Sequence, residues 1–304
     1  MKVGICVPTL NAGSNWKKWL ARATVAVPPG SRRLVVDSTS TDDTALLARE
    51  AGFEVIAIQR DEFDHGGTRQ LAASVLQDCD VLVFLTQDAI LLDSSAIIAL
   101  CAVFSDPSVG AAYGRQLPHY GAKPNGAHAR LFNYGDVSYM RRQEDIPRYG
   151  IKSAFMSNSF AAYRRSALEQ VGGFPSKLIL GEDMVVAARM LLAAWSIAYV
   201  AEAQVRHSHD YTMMQEFRRY FDIGVFHSRE SWLLESFGRP EGEGRRFIKS
   251  ELHYLLGRAP WLIPTTILRT LLKYSGYRLG RLEGHLPLWL KRRCSMHNGF
   301  WGKH

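Results

Sequence analysis

"RLVVDSTSTDDTALLAREAGFEVIAIQ", residues 33–59, holds a strand, a helix and a second strand with almost nothing between them. Leu34, Val35 and Val36 form a short aliphatic run that stops at Asp37 and Ser38, the pattern of a buried strand with a polar end. From Asp42 the spacing turns helical. Acidic residues open that helix, where the positive end of its dipole lies, and Gly52 closes it, as a C-cap prefers. "FEVIAIQ" then reads as the next strand. Outward in both directions the alternation repeats: "KVGICVP" (2–8) and "DVLVFLTQD" (80–88) read as strands, "NWKKWLARAT" (15–24) and "TRQLAASVLQD" (68–78) as helices. Strands alternating with helices predict a parallel sheet covered on both faces, with ligands bound outside the carboxyl ends of the strands.

The composition fits such a core. A chain of 304 residues, 47% hydrophobic and 22% charged, can bury one large α/β core with an appendage, or two modest domains, and is neither disordered nor fibrous. Its four cysteines, Cys6, Cys79, Cys101 and Cys294, form no CxxC pair, which suits a reducing compartment and argues against structural zinc. The N-terminal apolar stretch is broken by Pro8 and Asn11 and is too short for a signal-peptide core, so a cytoplasmic location is expected. The net charge of +8 is unevenly spread. Residues 245–304 carry twelve of the 37 basic residues and two of the 29 acidic ones, which leaves that tail at +10 and the first 244 residues at −2.

The polar strand ends are the candidate site. They are Pro8, Thr9 and Asn11; Asp37 and Ser38; the "DHGGTR" segment Asp64–Arg69; and Thr86, Gln87 and Asp88. Adjacent Gly66 and Gly67, beside His65, let backbone N–H groups approach phosphate oxygens closely, and Arg69 at the following helix start supplies a bidentate cation, so this loop is expected to hold a diphosphate. A plain turn is the alternative for the glycine pair. Asp37 is placed to accept the N3–H of a uracil or thymine ring; its alternative is to cap the next helix, a job Ser40 or Thr41 does equally well.

These residues resemble the inverting family 2 glycosyltransferases, which have the GT-A fold, a Rossmann-like α/β core that binds a nucleotide-diphospho-sugar. The resemblance rests on "VPTLN" (7–11), "VVDSTSTDDT" (35–44), "FLTQDAIL" (84–91), "GED" (181–183) with Arg189, and "YVAEAQVRHSH" (199–209), and so covers roughly the first 210 residues. "FDHGGTRQ" (63–70), "YGRQLP" (113–118) and "LPLWLKRRCSMHNGFW" (286–301) are similar to the bacterial rhamnosyltransferases that build O-antigen. The resemblance implies a dTDP-L-rhamnose donor, with a UDP-sugar as the alternative, and an acceptor saccharide on a lipid diphosphate. It implies Asp183 as the base that takes the acceptor's proton and Glu182 as its neighbour. The family's Asp-x-Asp metal motif is here Thr86-Gln87-Asp88. Its last aspartate, which holds Mg²⁺ or Mn²⁺, is retained, and a threonine replaces the first.

Bottom-up, a hard divalent cation needs few protein ligands when diphosphate oxygens complete its shell. His207 is a candidate further ligand, with His209 on the opposite face if the strand continues; both histidines satisfied by backbone is the alternative. Glu182 and Asp183 open the helical stretch "GEDMVVAARMLLAAW", where acids also compensate a helix dipole. Residues 116–160 read as a long irregular insert and, with Arg115 and Asn158, are assigned to the acceptor side. The expected division is a catalytic domain over 1–211, its nucleotide half 1–115 and its acceptor half 116–211, followed by a basic helical region over 212–304.

That region reads as a long helix over 212–237, a polar break at "GRPEGEG" (238–244), and helical stretches around Pro260 and Pro264. In "TILRTLLKYSGYRLGRL" the apolar residues Ile267, Leu268, Leu271, Leu272, Leu279 and Leu282 are read onto one face beside basic ones, and no apolar run reaches the roughly 18 residues a spanning helix needs. A basic amphipathic segment flanked by Trp261 and Trp289 suits an anionic membrane surface; packing on the catalytic domain or on a second copy of the chain is the alternative. No nucleic-acid motif is present. A sugar-nucleotide-binding scaffold without catalysis remains a different-class alternative, which Asp88 and Asp183 oppose, and a dinucleotide oxidoreductase is disfavoured because no GxGxxG follows the first strand.

Overall fold

The computed structural model describes residues 1–238 and 242–302. The strands are β1 (Val3–Thr9), β2 (Arg32–Asp37), β3 (Glu54–Ala57), β4 (Val81–Leu85), β5 (Ile90–Leu91), β6 (Val109–Leu117), β7 (Tyr139–Arg141), β8 (Phe160–Arg164) and β9 (Ser196–Arg206). They form one sheet in the order β3-β2-β1-β4-β8-β6-β9-β5, with β7 also paired to β9. The first four run parallel, as the sequence pattern predicts. β8 is antiparallel to both β4 and β6, and β5 to β9, so the sheet as a whole is mixed. The difference arises because β4 is joined to β8 by a long connection, residues 86–159, that carries β5, β6, β7 and the helices between them, with no direct helical crossover to impose one direction.

The helices are α1 (Trp16–Ala26), α2 (Thr44–Glu50), α3 (His65–Val75), α4 (Ala96–Ala102), α5 (Pro124–Asn133), α6 (Ile146–Tyr149), α7 (Arg165–Gln170), α8 (Glu182–Leu192), α9 (Met213–Arg229), α10 (Ser231–Phe237), α11 (Glu243–Leu256), α12 (Ile263–Arg281) and α13 (Leu288–Cys294). Alternation along each strand splits the core in two. Cys6, Leu82 and Phe84 face α3, α8 and α9, whereas Ile5, Val7, Val81 and Val83 face α1, α2 and α4. All four cysteines are free thiols buried in the protein.

Two expectations change here, and a third lies partly outside the described residues. The 116–160 insert is partly regular: Pro124 at N1 starts a helix of 10 residues, as its fixed φ favours. The helix expected over 212–237 breaks at Glu230 into α9 and α10. The polar break at 238–244 falls partly on Arg239, Pro240 and Glu241, outside the described residues.

The tail folds back onto the core. At Gly276 and Gly280 the backbone of α12 packs directly on that of α9: a Cβ at Gly280 would lie 2.0 Å from the Phe221 carbonyl oxygen and one at Gly276 2.3 Å from that of Phe217. Only glycine permits backbones to approach so closely. Leu272 and Leu279 lie half-buried toward the protein, while Ile267, Leu268, Leu271 and Tyr274 share the opposite face and stay exposed. Packing on the catalytic core and an open apolar face therefore coexist on one helix. Among the described residues no helix is long and apolar enough to cross a membrane.

Candidate active site

The carboxyl ends of β1, β2 and β4 meet through side chains that tie one loop to the next. Asp37 is buried; its Oδ1 accepts from the Thr9 hydroxyl (2.8 Å) and the Ser40 hydroxyl (2.6 Å), and its Oδ2 from the Ser40 N–H (2.8 Å). It does not cap α2, whose N-cap is Asp43. A carboxylate oxygen can accept two bonds, so Oδ2 keeps capacity for a further donor. Ser38 is buried and its hydroxyl has no partner among the described residues. Asn11 and Thr39 both take positive φ, 45° and 58°. The strain is held by bonds around them: Asn11 accepts from the Thr41 N–H and its own N–H donates to Ser40. Gln87 bonds both backbone groups of Leu10, at 2.8 and 3.1 Å, which splices the β4 end to the β1 end. Pro8, the sixth residue of β1, pairs with Val36 of β2.

The "DHGGTR" segment departs from its expected form. It is the first turn of α3, not a loop before a helix. Asp64 caps that helix by accepting from the Gly67 N–H. Gly66 is there for packing, because a Cβ would lie 1.7 Å from the Pro175 carbonyl oxygen. Arg69 is likewise no free cation: it is buried, donates to the His65 carbonyl at 2.8 Å, and pairs with Glu182 at 3.0 Å. A guanidinium taken out of water requires such a partner.

Glu182 and Asp183 open α8 behind Gly181, which takes φ 83°. Asn158 organises the pair. Its side-chain amide Nδ2 donates to Glu182 (2.9 Å), its backbone N–H to Asp183 (3.1 Å), and its side-chain Oδ1 accepts from the Tyr163 hydroxyl (2.6 Å). Asn158 is buried under the two carboxylates, so it positions them and is not an open acceptor contact. The carboxylates diverge electrostatically. Burial would raise Glu182, but Arg69, His65 and Asn158 hold it below its ordinary range. Asp183, under the same burial and facing the Glu182 charge, is pushed up to about 7. Two adjacent carboxyls with separated affinities for a proton leave one permanent anion and one group able to take a proton near neutrality.

The other cluster joins Asp88, His207 and His209. Asp88 Oδ2 lies 3.3 Å from His207 Nε2 and 3.8 Å from His209 Nε2, and one ligand atom from each residue falls within 4.8 Å of the others. The sequence expectation that His209 points away from His207 fails because residues two apart on an extended segment share a face, so alternation carried past the end of β9 at Arg206 brings the two rings together. Burial would raise Asp88, yet His207, Thr86 and His209 hold it well below the carboxylate range. Gln116 sets the tautomer of His207. Its Oε1 already accepts from Arg130 at 2.6 Å and its amide donates to Ser157, so His207 Nδ1, 2.9 Å away, must be the donor. His207 Nε2 then presents a lone pair to the Asp88 oxygen unless the ring is protonated, an arrangement that a cation between them satisfies.

Two features escaped the sequence. His209 is one, and His297 is the other. Buried Asp222 of α9 accepts from the Met296 N–H at 2.9 Å and so draws the C-terminal segment inward. That places the His297 ring 5.3 Å from His65, beside the Glu182 pair. Burial first, then His65, lowers His297 to about 4. A lone histidine near a chain end offers no signal of this return. Arg115 lies half-buried on β6, its Nε without a partner among the described residues.

Comparison with known proteins gives a consistent result. Residues 2–221 match the model of "Glycosyltransferase like family 2". The chain is 48% identical over 302 residues to an O-antigen chain rhamnosyltransferase of Salmonella typhimurium, covering 99% of this chain and 96% of that one. A second, from Salmonella anatum, is 48% identical over 298 residues, covering 98% and 95%. Among solved structures, a mannosyltransferase from Pyrobaculum calidifontis in complex with GDP-Man and Mn²⁺ superposes with TM-score 0.58 at 17% identity, covering 99% of this chain and 88% of that one. TarS 1–349 of S. aureus in complex with UDP-GlcNAc gives 0.53 at 15%, covering 94% and 92%.

Proposed function

The chain belongs to glycosyltransferase family 2 and has the GT-A fold, and on that premise we propose that it transfers L-rhamnose from dTDP-L-rhamnose, with inversion, to a saccharide on a lipid diphosphate. What carries the choice of sugar is the 48% identity, over nearly the whole chain, to relatives named as O-antigen chain rhamnosyltransferases. In this reading the thymine N3–H donates to the remaining capacity of Asp37 Oδ2, and the strained Asn11–Ser40 loops close around the nucleoside. Asp183 takes the proton of the acceptor hydroxyl as that oxygen attacks the anomeric carbon from the side opposite the leaving diphosphate. Glu182, held ionised by Arg69, keeps the affinity of Asp183 for that proton high. Asp88, His207 and His209 would hold the divalent cation, which when bound neutralises charge on the leaving diphosphate. Two imidazoles beside one carboxylate suit Mn²⁺ better than Mg²⁺, whose shell is all oxygen.

The test is turnover by the purified protein with a panel of dTDP- and UDP-sugars. The expected result is transfer from dTDP-L-rhamnose with a product of opposite anomeric configuration. Transfer only from a UDP-hexose would leave the fold reading intact and overturn the sugar.

A peripheral location on the inner face of the cytoplasmic membrane is supported by the outer face of α12 and by Trp261 and Trp289, which are 72% and 66% exposed. Part of the tail's charge is spent internally: Lys291 pairs with Glu283 at 2.7 Å and Arg269 with Glu216 at 2.9 Å. Arg245, Arg246, Lys249, Arg258, Arg278, Arg292 and Arg293 are the exposed cations of the tail among the described residues. The protein is expected to sediment with phosphatidylglycerol vesicles, less so as salt screens the charges. Replacing Leu268, Leu271 and Trp289 together with serine should cut partitioning by roughly 10³-fold or more at any salt, since each apolar side chain fully removed from water contributes about 1.5–3 kcal/mol. Failure of the wild type to sediment at low salt would refute the membrane reading.

A further inference from the structure

A cavity of about 160 Å³ lies between the core and the tail, walled by α5, the His209–Tyr211 segment, α9, α11 and α12. It is smaller than the roughly 300–1,000 Å³ that drug-sized ligands occupy, and so admits a small group and not a nucleotide. It shares His209 with the Asp88 cluster.

The charges in its wall do not cancel. Each acid there is already engaged: Asp210 accepts from the Lys123 N–H, Glu216 from Arg269, and Glu251 Oε1 from Asn125. Of the five cations in the wall only Arg269 has an ion pair among the described residues; Lys123 is exposed, and three others are turned to the cavity. Arg130 gives one N–H to Gln116 while its Nε is buried without a partner; Arg219 and Lys273 make no ion pair among the described residues. Arg219 lies 5.9 Å from the centre of the Tyr211 ring, and the Lys273 ammonium 5.3 Å from that of Phe247. Glu251 is 2% exposed and its Oε2 has no partner among the described residues. Positive charges gathered in one wall repel one another, a cost that a bound anion offsets. Ring faces and an open carboxylate oxygen suit sugar carbon and a sugar hydroxyl.

We propose that this cavity binds a phosphate group of the acceptor, carried next to its first sugar, through Arg130, Arg219 and Lys273. The proposal rests on the reading of the chain as a transferase that uses a lipid-diphosphate acceptor. The donor's diphosphate has its own place at the Asp88 cluster, so the second anion belongs to the other substrate. α12 connects the phosphate with its lipid: Lys273 points into the cavity from the packed side of the helix, and Leu271 and Tyr274 stand on the exposed side.

Two measurements test this. Inorganic pyrophosphate, titrated calorimetrically in excess EDTA to keep it off the metal cluster, should bind the wild type, and Lys273→Gln should weaken that binding about tenfold or more, as loss of a charge-assisted contact does. Arg219→Gln, at an exposed position, should act in the same direction if Lys273→Gln fails to fold. In steady-state transfer, Lys273→Gln should raise the KM for the lipid-diphosphate saccharide by a similar factor and leave the KM for its methyl glycoside and for the donor where they were. Pyrophosphate binding with an unmoved acceptor KM would mean a free-phosphate site and overturn the proposal. So would an equal rise in KM for both acceptors, or no pyrophosphate binding. If pyrophosphate binds through Lys273 and transfer runs only from a UDP-sugar, the donor reading fails, and the shift in acceptor KM measured with that donor decides the cavity assignment.

Discussion

Asp183→Asn is expected to lower turnover by roughly 10²–10⁴-fold while donor affinity stays within a few-fold of wild type, because the amide keeps the shape and loses the proton acceptor. The pH profile gives the sharper readout. Asp183 must be ionised to act as base, and burial together with the Glu182 charge raises it to about 7. Activity should therefore climb with pH up to about 7 and level off above it, the opposite sign from an enzyme limited by a general acid. Glu182→Gln removes the charge that raises Asp183 and releases Arg69, which now pairs with Glu182 at 3.0 Å. Both changes favour the ionised form of Asp183, so the limb should move to lower pH. A purely structural role for Glu182 would leave the limb in place. Asp183→Asn within a few-fold of wild type would assign the proton to another group.

The sheet was legible because burial imposes pattern locally. Leu34–Val36 and Val81–Leu85 are fully buried strands, and each announces itself by an aliphatic run closed by a polar residue. The opening of α8 was equally plain, since Glu182 and Asp183 stand directly before an apolar helical stretch. What could not be read are facts that depend on a partner far along the chain. Arg69 looks like a free cation until Glu182 occupies it, and Gly66 looks like a phosphate turn until the Pro175 carbonyl fills the space where a side chain would go. His209 was misdirected by a misapplied strand rule, because residues two apart on an extended segment share a face. His297 needs Asp222 to draw it in, and neither residue signals the other. Antiparallel β8 belongs to the same class: a strand's own residues fix which face is buried, whereas its direction depends on how the intervening chain returns.

The second large effect is expected at the proposed metal site around Asp88. Asp88→Ala removes the sole carboxylate of the set and leaves two imidazoles, His207 and His209, that keep little affinity for a hard divalent ion in competition with water. Transfer should fall by at least about 10³-fold, the scale of losing charge stabilisation on a leaving oxygen, and donor binding should weaken as well, unlike Asp183→Asn. That contrast separates the two aspartates: one variant loses the proton acceptor and keeps the donor, the other loses both donor affinity and turnover. Chelation of the wild type should reproduce the Asp88→Ala phenotype, and Mn²⁺ should restore activity more fully than Mg²⁺. His209→Ala should be milder than His207→Ala. His207 is buried, its tautomer is set by Gln116, and it lies nearer Asp88, whereas His209 is about one-third exposed and 3.8 Å away. Full activity of the wild type in excess EDTA would remove the cation from the reaction and leave the Asp88 cluster as a hydrogen-bonded brace between β4 and β9.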